Sequence, residues 1–344
     1  MRIAIAGGGP AGLYFAILIK RLDPAHDVVV YERNAPDDTF CFGVVFSDET
    51  LDAIEAADPP AFAEIARRFA RWAEIDVHYR GETITSGGHG FSALSRRELL
   101  GLLQRRAGDL GVDLRFRTEA PPDPDADLVV GADGVNSRVR ARHEQAFGPT
   151  FERGRSKYIW LGTERVFDAF KFYVAQTEHG VFQVHGYPYS DAMSTFIVET
   201  SEETWRRAGL DQAGEEESIA FCEGLFADAL DGHRLLGNNS RWIDFVTVRN
   251  AAWSHENAVL LGDAAHTAHF SIGSGTKLAI EDAIALAWAF REHPDDVPAA
   301  LASYEAERRP IVESTQRAAH GSREWFEASR ATSASRRGSS RSTC

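Results

Sequence analysis

Cysteine is scarce in this 344-residue chain: Cys41, Cys222 and Cys344 stand far apart, with no C-x-x-C pair among them. Such usage excludes a disulfide-stapled fold and offers no zinc-ligand spacing, so no metal is expected and a reducing compartment suits it. Long apolar runs are lacking too; none approaches the ~20 residues that a membrane-spanning helix needs. The N-terminus reads as no secretory leader, because a glycine loop follows the first short apolar run at once. Basic charge is outweighed, 37 Lys and Arg against 51 Asp and Glu, for a formal net charge of −14. That balance argues against a general nucleic-acid footprint, yet leaves room for a local basic pocket that takes an anionic substrate. The expectation is a cytoplasmic protein with a small-molecule partner, no membrane and no nucleic acid, with a homodimer left open. At 44% hydrophobic and 26% charged residues, the composition is ordinary for a globular protein with a large core and two domains.

What is present is concentrated first in residues 1–33. Arg2-Ile-Ala-Ile-Ala6 has the length of a buried parallel strand and runs into Gly7-Gly8-Gly9-Pro10-Ala11-Gly12, which fits G-x-G-x-x-G through Gly7, Gly9 and Gly12. Leu13 to Leu22 reads as an apolar helix, and Val28 to Tyr31 as a second buried strand ending at Glu32, 20 residues after Gly12. Gly7 permits the tight turn, Gly9 lets backbone N–H groups approach a pyrophosphate, and Gly12 lets the helix pack close to the strand. The helix N-terminus offers its positive end to the phosphates, and Glu32 can accept hydrogen bonds from an adenosine ribose. A dinucleotide is expected here; the stretch alone does not separate NAD from FAD.

Along the rest of the chain, the apolar stretch 40–46 reads as a loop buried against something flat, and Ser47 to Thr50 as a helix start. Residues 61–72 read as a helix whose Arg67, Arg68 and Arg71 form a charged face. Residues 75–79 and 82–85 read as a hairpin, and Ser95 with Glu98 as the capping box of a helix that Gly111 stops. Strands are expected at 112–116 and 128–132, the latter ending in Asp133-Gly134. From Lys157 to about Thr200 the pattern alternates as an antiparallel sheet, aromatic on one face, followed by helices near 202–208 and 215–230 and a strand at 242–248. Residues 258–261 form another buried strand ending at Gly262-Asp263; helices follow over 277–291 and 298–320, and the end from Ser329 is Ser/Arg-rich low complexity. This divides into a discontinuous dinucleotide-binding domain (1–72, 95–155 and 250–327), an inserted substrate-binding β-sheet domain (73–94 and 156–249) and a disordered tail (328–344). The fold class is α/β, a Rossmann-like domain carrying an inserted antiparallel sheet.

Three strand-end turns, Gly7–Gly12, Asp133-Gly134 and Gly262-Asp263, would converge on one crevice, since ligands of open α/β sheets bind outside the carboxyl ends of the strands. The runs VVGADGVNSRVR (129–140) and LLGDAAH (260–266), with the N-terminal fingerprint, resemble the class A FAD-dependent aromatic hydroxylases, the para-hydroxybenzoate hydroxylase superfamily. Residues 43–47 (GVVFS), 157–160 (KYIW), 190–199 (SDAMSTFIVE) and 269–273 (HFSIG) are similar to the salicylyl-CoA 5-hydroxylase and anthraniloyl-CoA monooxygenase group within that family. The resemblance covers residues 1 to about 327.

The resemblance implies a tightly bound FAD, reduced by transient NAD(P)H with NADH favoured, and O2 as co-substrate. It implies that Gly7, Gly9, Pro10, Ala11 and Gly12 hold the pyrophosphate, with Glu32 and Arg33 at the ribose and Arg96 on the pyrophosphate side. Val44 and Val45 would face the flavin; Asp133, Gly134, Gly262 and Asp263 would hold its ribityl and phosphate region; Gly273, Ser274, Gly275, Thr276 and Lys277 would lie under its pyrimidine ring. There the helix dipole would favour negative charge on the reduced flavin. The implied reaction passes oxygen from a flavin hydroperoxide to an electron-rich ring, expected to be an aryl-CoA such as salicylyl-CoA, hydroxylated at position 5 to gentisyl-CoA. His269, His266 and Tyr187, with His185, are candidates to orient or deprotonate the ring substituent, His269 first because its loop would face the flavin. A CoA tail would need basic partners, for which Arg153, Arg155, Lys157 or the Arg67–Arg71 face could serve. A free indole or aromatic amine as substrate, tryptophan hydroxylase-like, and flavin binding without hydroxylase turnover stay open as alternatives.

Overall fold

The computed structural model describes residues 1–39, 41–270 and 273–335. A six-stranded sheet has the order Ser254–His255, Ala258–Leu260, Leu128–Gly131, Arg2–Ala6, Asp27–Glu32, Asp113–Phe116. Its strands pair in parallel except at the Ser254–His255 edge. Helix Pro10–Leu22 is buried on almost every side, because it lies on this sheet and packs against both Arg96–Asp109 and Gly275–Glu292. That is why it shows no polar stripe. Even Lys20 is buried, its ammonium donating to the carbonyls of Pro24 and His26.

A second sheet of eight strands is built around Pro149–Thr163, Ser194–Ser201, Val181–Pro188 and Phe170–Gln176, with Ile75–Tyr79 and Glu82–Ser86 at one edge. Leu235–Leu236 and Ile243–Asn250 pair with the long strand Pro149–Thr163. One face packs Phe182, Val184, Phe196 and Val198 against the helices Glu202–Arg207, Glu215–Leu225 and Ala227–Leu230. The opposite face carries Tyr158, Trp160, Phe170, Tyr187 and Ile197 in a separate aromatic cluster. A small third sheet, Gly43–Ser47, Phe91–Ser95 and Ala70–Trp72, sits against that cluster.

Several expectations change in detail. The helix expected over 61–72 is Pro59–Ala66 followed by strand Ala70–Trp72. Trp72 pairs opposite Phe91 and stacks with it at 5.9 Å, so aromatic packing overrides local helix propensity. Ser95 makes no side-chain cap, because it already ends the strand paired with Gly43–Ser47. Strand Pro149–Thr163 runs through the boundary expected at residue 155, and the third sheet joins residues on both sides of the boundary at 72. The last helix, Val297–Ser335, extends well past His320 into the expected tail, whose residues 336–344 lie outside the described ones. Among the described residues, no helix is long and apolar enough to cross a membrane.

Three helices meet at one acid. Asp58, without solvent exposure, takes both oxygens to Arg106 at 3.0 Å and lies 3.2 Å from Arg21 of the first helix. Replacing Asp58 by Ala leaves half-buried Arg106 without its acceptor and Arg21 without its counter-charge, an expected loss of about 3 kcal/mol. Urea unfolding should show a lower midpoint at unchanged slope, and a change below about 1 kcal/mol would contradict the assignment.

Candidate active site

The N-terminal turn shows why glycine is required there. Gly7 has φ +106°, and a Cβ on it would lie 2.2 Å from the Ala132 carbonyl oxygen. A Cβ on Gly12 would lie 2.1 Å from the Gly7 carbonyl oxygen, so helix and strand approach at backbone contact. Gly9 differs: a Cβ there meets nothing within 4 Å, and Gly9 begins the helix with no side-chain cap. The first-turn donors therefore face open space, where an anion fits. Pro10 and Ala11 are buried in the first turn. Glu32 ends its strand at the same place, accepting from the backbone N–H groups of Gly8 and Asn34 at 2.8 Å each. An open cleft of about 420 Å³ joins Gly8, Gly9, Glu32, Asn34, Arg96 and Gln104. Arg33 is exposed and does not line it.

The other two turns stand beside the first. Gly134 has φ +80°, and Asp133 accepts from the Arg138 N–H at 2.6 Å through one oxygen. Its other oxygen is buried without a hydrogen-bond partner among the described residues. Buried Arg140 donates to the Ala264 carbonyl at 2.9 Å and to the Val135 carbonyl, tying the Asp133 turn to the Gly262 turn. Asp263 is solvent-exposed yet ringed by protein, as the wall of a hollow is. That enclosure pushes its carboxyl above the ordinary range, while Arg96 across the hollow pulls it down. Burial likewise raises the Cys41 thiol, with Arg96 and Asp263 as its charged neighbours. Arg96 thus bridges the dinucleotide cleft and the hollow under the Gly262 turn.

Helix Gly275–Glu292 begins at Ser274 with no side-chain cap, and the buried Ser274 hydroxyl has no partner among the described residues. Gly273 has φ +62°, and a Cβ on Gly273 or Gly275 would meet nothing within 4 Å. Uncapped donors, an orphaned hydroxyl and bare glycines make a cradle for a flat, electron-accepting group. Thr276 is half-buried in the first turn, whereas Lys277 is turned away to Glu281 and Thr50. Ser271 and Ile272 of the HFSIG motif lie outside the described residues. In strand Gly43–Ser47, Val44 points into the first domain's core and Val45 packs on the aromatic cluster. The residues present fit a flavin dinucleotide: pyrophosphate donors at one helix end, a second uncapped helix end at the other, and orphaned polar atoms between.

The three catalytic candidates separate. His266 is buried with Nε2 2.7 Å from Asp282 and its ring against Trp253, so it braces the turn and faces no ring pocket. Tyr187 donates its hydroxyl to the Gly43 carbonyl at 3.1 Å, and burial pushes the phenol far above its ordinary range. It stays protonated and fastens strand Gly43–Ser47 to the large sheet, which removes it as a base. His269 packs edge-on against Phe245 and lines an opening of about 240 Å³ with Thr247, Arg249, Thr267 and Gln316. Phe270, its neighbour, stacks on it and reaches the aromatic cluster, at 4.5 Å from Tyr158 and 5.6 Å from His185. Sequence reasoning missed Cys41, Trp72, Phe270 and Glu199; Glu199 could have been found as the acid interrupting the strand STFIVETS. Of the basic residues considered for a CoA tail, Lys157 pairs with Asp244, and Arg67 and Arg68 pair with Glu64.

A family model described as FAD binding domain matches residues 87–319. A salicyloyl-CoA 5-hydroxylase from Streptomyces sp is 50% identical over 339 residues, covering 95% of this chain and 65% of that protein. A 3-hydroxy-4-methyl-anthranilyl-[aryl-carrier protein] 5-monooxygenase from Streptosporangium sibiricum is 40% identical over 326 residues, covering 95% of this chain and 89% of that one. The chain belongs to the FAD-dependent aromatic monooxygenases. It spans about two thirds of the length of the Streptomyces relative. The fold agrees: 2-methyl-3-hydroxypyridine-5-carboxylic acid oxygenase superposes with a TM-score of 0.78 at 21% identity, covering 92% of this chain and 89% of that one.

Gly12→Ala should therefore yield folded protein that is isolated without its yellow flavin, since the turn must open to admit the new methyl; full FAD content would contradict the assignment. Asp282 supplies a pH signature. Burial alone would raise its carboxyl, but His266 and Arg308 outweigh burial and hold it below the ordinary range. Its stabilisation is thus complete above the unfolded-state carboxylate pKa and is lost as pH falls through the lower folded value. Asp282→Asn should cost about 3 kcal/mol at pH 7 and flatten the acid limb of stability against pH, measured by urea unfolding from pH 7 to pH 4. An unchanged acid limb would remove Asp282 from that role.

Proposed function

We propose that this chain hydroxylates the aromatic ring of an aryl thioester, salicyloyl-CoA at ring position 5 being the first candidate, with NAD(P)H as reductant, NADH favoured, and O2 as oxygen donor. The observation that carries the reading is the 50% identity, over 95% of the chain, to a protein named for that reaction. Geometry supports it: the cradle at Gly273–Gly275 lies next to Phe270, and Phe270 lies on the aromatic face of the sheet. The scarcity of cysteine and a nicotinamide reductant support a cytoplasmic setting.

FAD, when bound, takes hydride from the nicotinamide and activates O2 for transfer to carbon. The chain's own part is to bind, orient and exclude water. The Gly9 helix end and Arg96 would hold the pyrophosphate, Glu32 the ribose, and the uncapped Ser274 helix end would favour negative charge at the flavin's pyrimidine side. Tyr158, Trp160, Phe170 and Trp72 would line a dry slot that holds a ring flat against the reacting edge. Salicylate chemistry does the rest: the hydroxyl at position 2 donates electrons to the carbon para to it, position 5.

The test is NADH oxidation and oxygen uptake by the yellow protein with salicyloyl-CoA, anthraniloyl-CoA, free salicylate and tryptophan. Salicyloyl-CoA should stimulate NADH oxidation at least tenfold and gain one oxygen atom in the product. Stimulation by tryptophan or free salicylate alone would overturn the thioester reading. NADH consumed with every compound but no hydroxylated product would overturn hydroxylation itself.

A further inference from the structure

The aromatic face of the second sheet contains one polar island. Alternation puts Gln183, His185 and Tyr187 on that face beside Thr195, Ile197 and Glu199 of the neighbouring strand, with Gln183 directly opposite Glu199. Gln183 donates to a Glu199 oxygen at 2.8 Å, and His185 Nε2 lies 3.4 Å from the same oxygen. His185 is 1% exposed and Glu199 2%. A carboxylate and an imidazole at this depth carry a desolvation cost that an apolar pair of the same volume would avoid, so packing alone does not account for them. The His185 ring meets Phe172 at 4.9 Å, Phe270 at 5.6 Å and Phe170 at 6.4 Å, each nearly edge-on. Phe270 belongs to the loop that leads into the flavin cradle. His185 therefore packs among aromatic rings on the face of the sheet where the substrate ring would lie.

The titratable groups around it narrow the choice of base. Tyr187 on the same strand is already donating to Gly43, and its phenol, like that of Tyr158 on the long strand, is pushed up by burial. Asp244 on the strand beside Tyr158 is paired with Lys157. His269 lines the separate opening beside Arg249. Glu199 remains as the charged partner of His185 itself.

We propose that His185, oriented by Glu199, accepts the proton of the substrate's ring hydroxyl, an inference that rests on the aryl-thioester reading above. The substrate O–H bond breaks and an N–H bond forms on the imidazole. The electron pair left on oxygen moves into the ring and accumulates at the para carbon, where oxygen is to be added. Glu199, 3.4 Å from Nε2, is near enough for its negative charge to stabilise the imidazolium that results. Gln183 holds the carboxylate in place.

His185→Gln and Glu199→Gln, both close in volume, test this with salicyloyl-CoA. His185→Gln should keep its FAD spectrum and bind salicyloyl-CoA within about threefold of wild type, while hydroxylation at pH 7 falls about 100-fold. The loss should shrink as pH rises, and with a ring-fluorinated salicyloyl-CoA whose phenol ionises more readily. The ultraviolet difference spectrum should show phenolate bound to wild type and phenol bound to the variant. Glu199→Gln should fall about tenfold with its acid limb moved to a different pH. Activity within threefold of wild type, or a loss equal at every pH with phenolate still bound, would overturn the proposal. Wild-type protein that is neither bound nor stimulated by salicyloyl-CoA would instead overturn the substrate reading, and this inference with it.

Discussion

Asp282 has no access to water, and the geometry around the cofactor depends on how it is satisfied. It accepts hydrogen bonds from the Gly262 N–H, from Nε2 of His266 and from Nε of Arg308. These donors come from a strand-end turn, the stretch that follows it and the last long helix. An ion at this depth is tolerated only when its lone pairs are filled by well-placed donors, which makes their relative positions strict. The loop toward Phe270 and Gly273 therefore leaves from a rigid point. Arg140 extends the same rigidity by reaching from the Asp133 turn to the carbonyl of Ala264. Turns far apart in sequence become one wall.

The opposite wall is held differently. Strand Gly43–Ser47 is tied to the large sheet by the Gly43 N–H donating to Thr195 Oγ1 at 3.0 Å and by the Tyr187 hydroxyl returning to the Gly43 carbonyl. A side chain on Gly43 would run into Tyr189 at 2.6 Å, so the approach is as close as backbone allows. Trp72 stacks on Tyr187 at 6.1 Å from the third sheet. Neutral hydrogen bonds and stacked rings make this wall, and ion pairs make the other. The division suits the chemistry expected of each. The phosphates need fixed donors and dipoles, while a ring needs a dry surface of matching shape.

How much of this could be read in the residues follows from the range of the forces involved. The Gly7–Gly12 turn and its strand, helix and acid were legible because backbone sterics act over a few residues, and those sterics appear in the structure as the 2.1 Å clash that a Cβ on Gly12 would make with the Gly7 carbonyl. The alternating strands of the second sheet were legible for the same reason. The stretch 61–72 was misread because Trp72 is placed by Phe91 and Tyr187, partners distant in sequence. Ser95 looks like a helix cap, and pairing with Gly43 makes it a strand end. The roles of the histidines were not legible at all. Which carboxylate each one meets is decided by tertiary packing, and His266 meets Asp282 from 16 residues away.

The same side chain therefore does unlike things in one small region. His266 shares buried Asp282 with Arg308, His269 borders a polar opening, and His185 sits with Glu199 among phenylalanines. A histidine whose carboxylate is also claimed by an arginine has little left to give a substrate, because its partner's charge is already balanced. Asp282 is shared with Arg308 in that way, whereas Glu199 meets the Gln183 amide and the His185 ring. A neutral amide orients a carboxylate without adding a counter-charge, and charge interactions strengthen where little water screens them. Burial acts on Tyr187 by disfavouring its anion, which keeps that hydroxyl a donor.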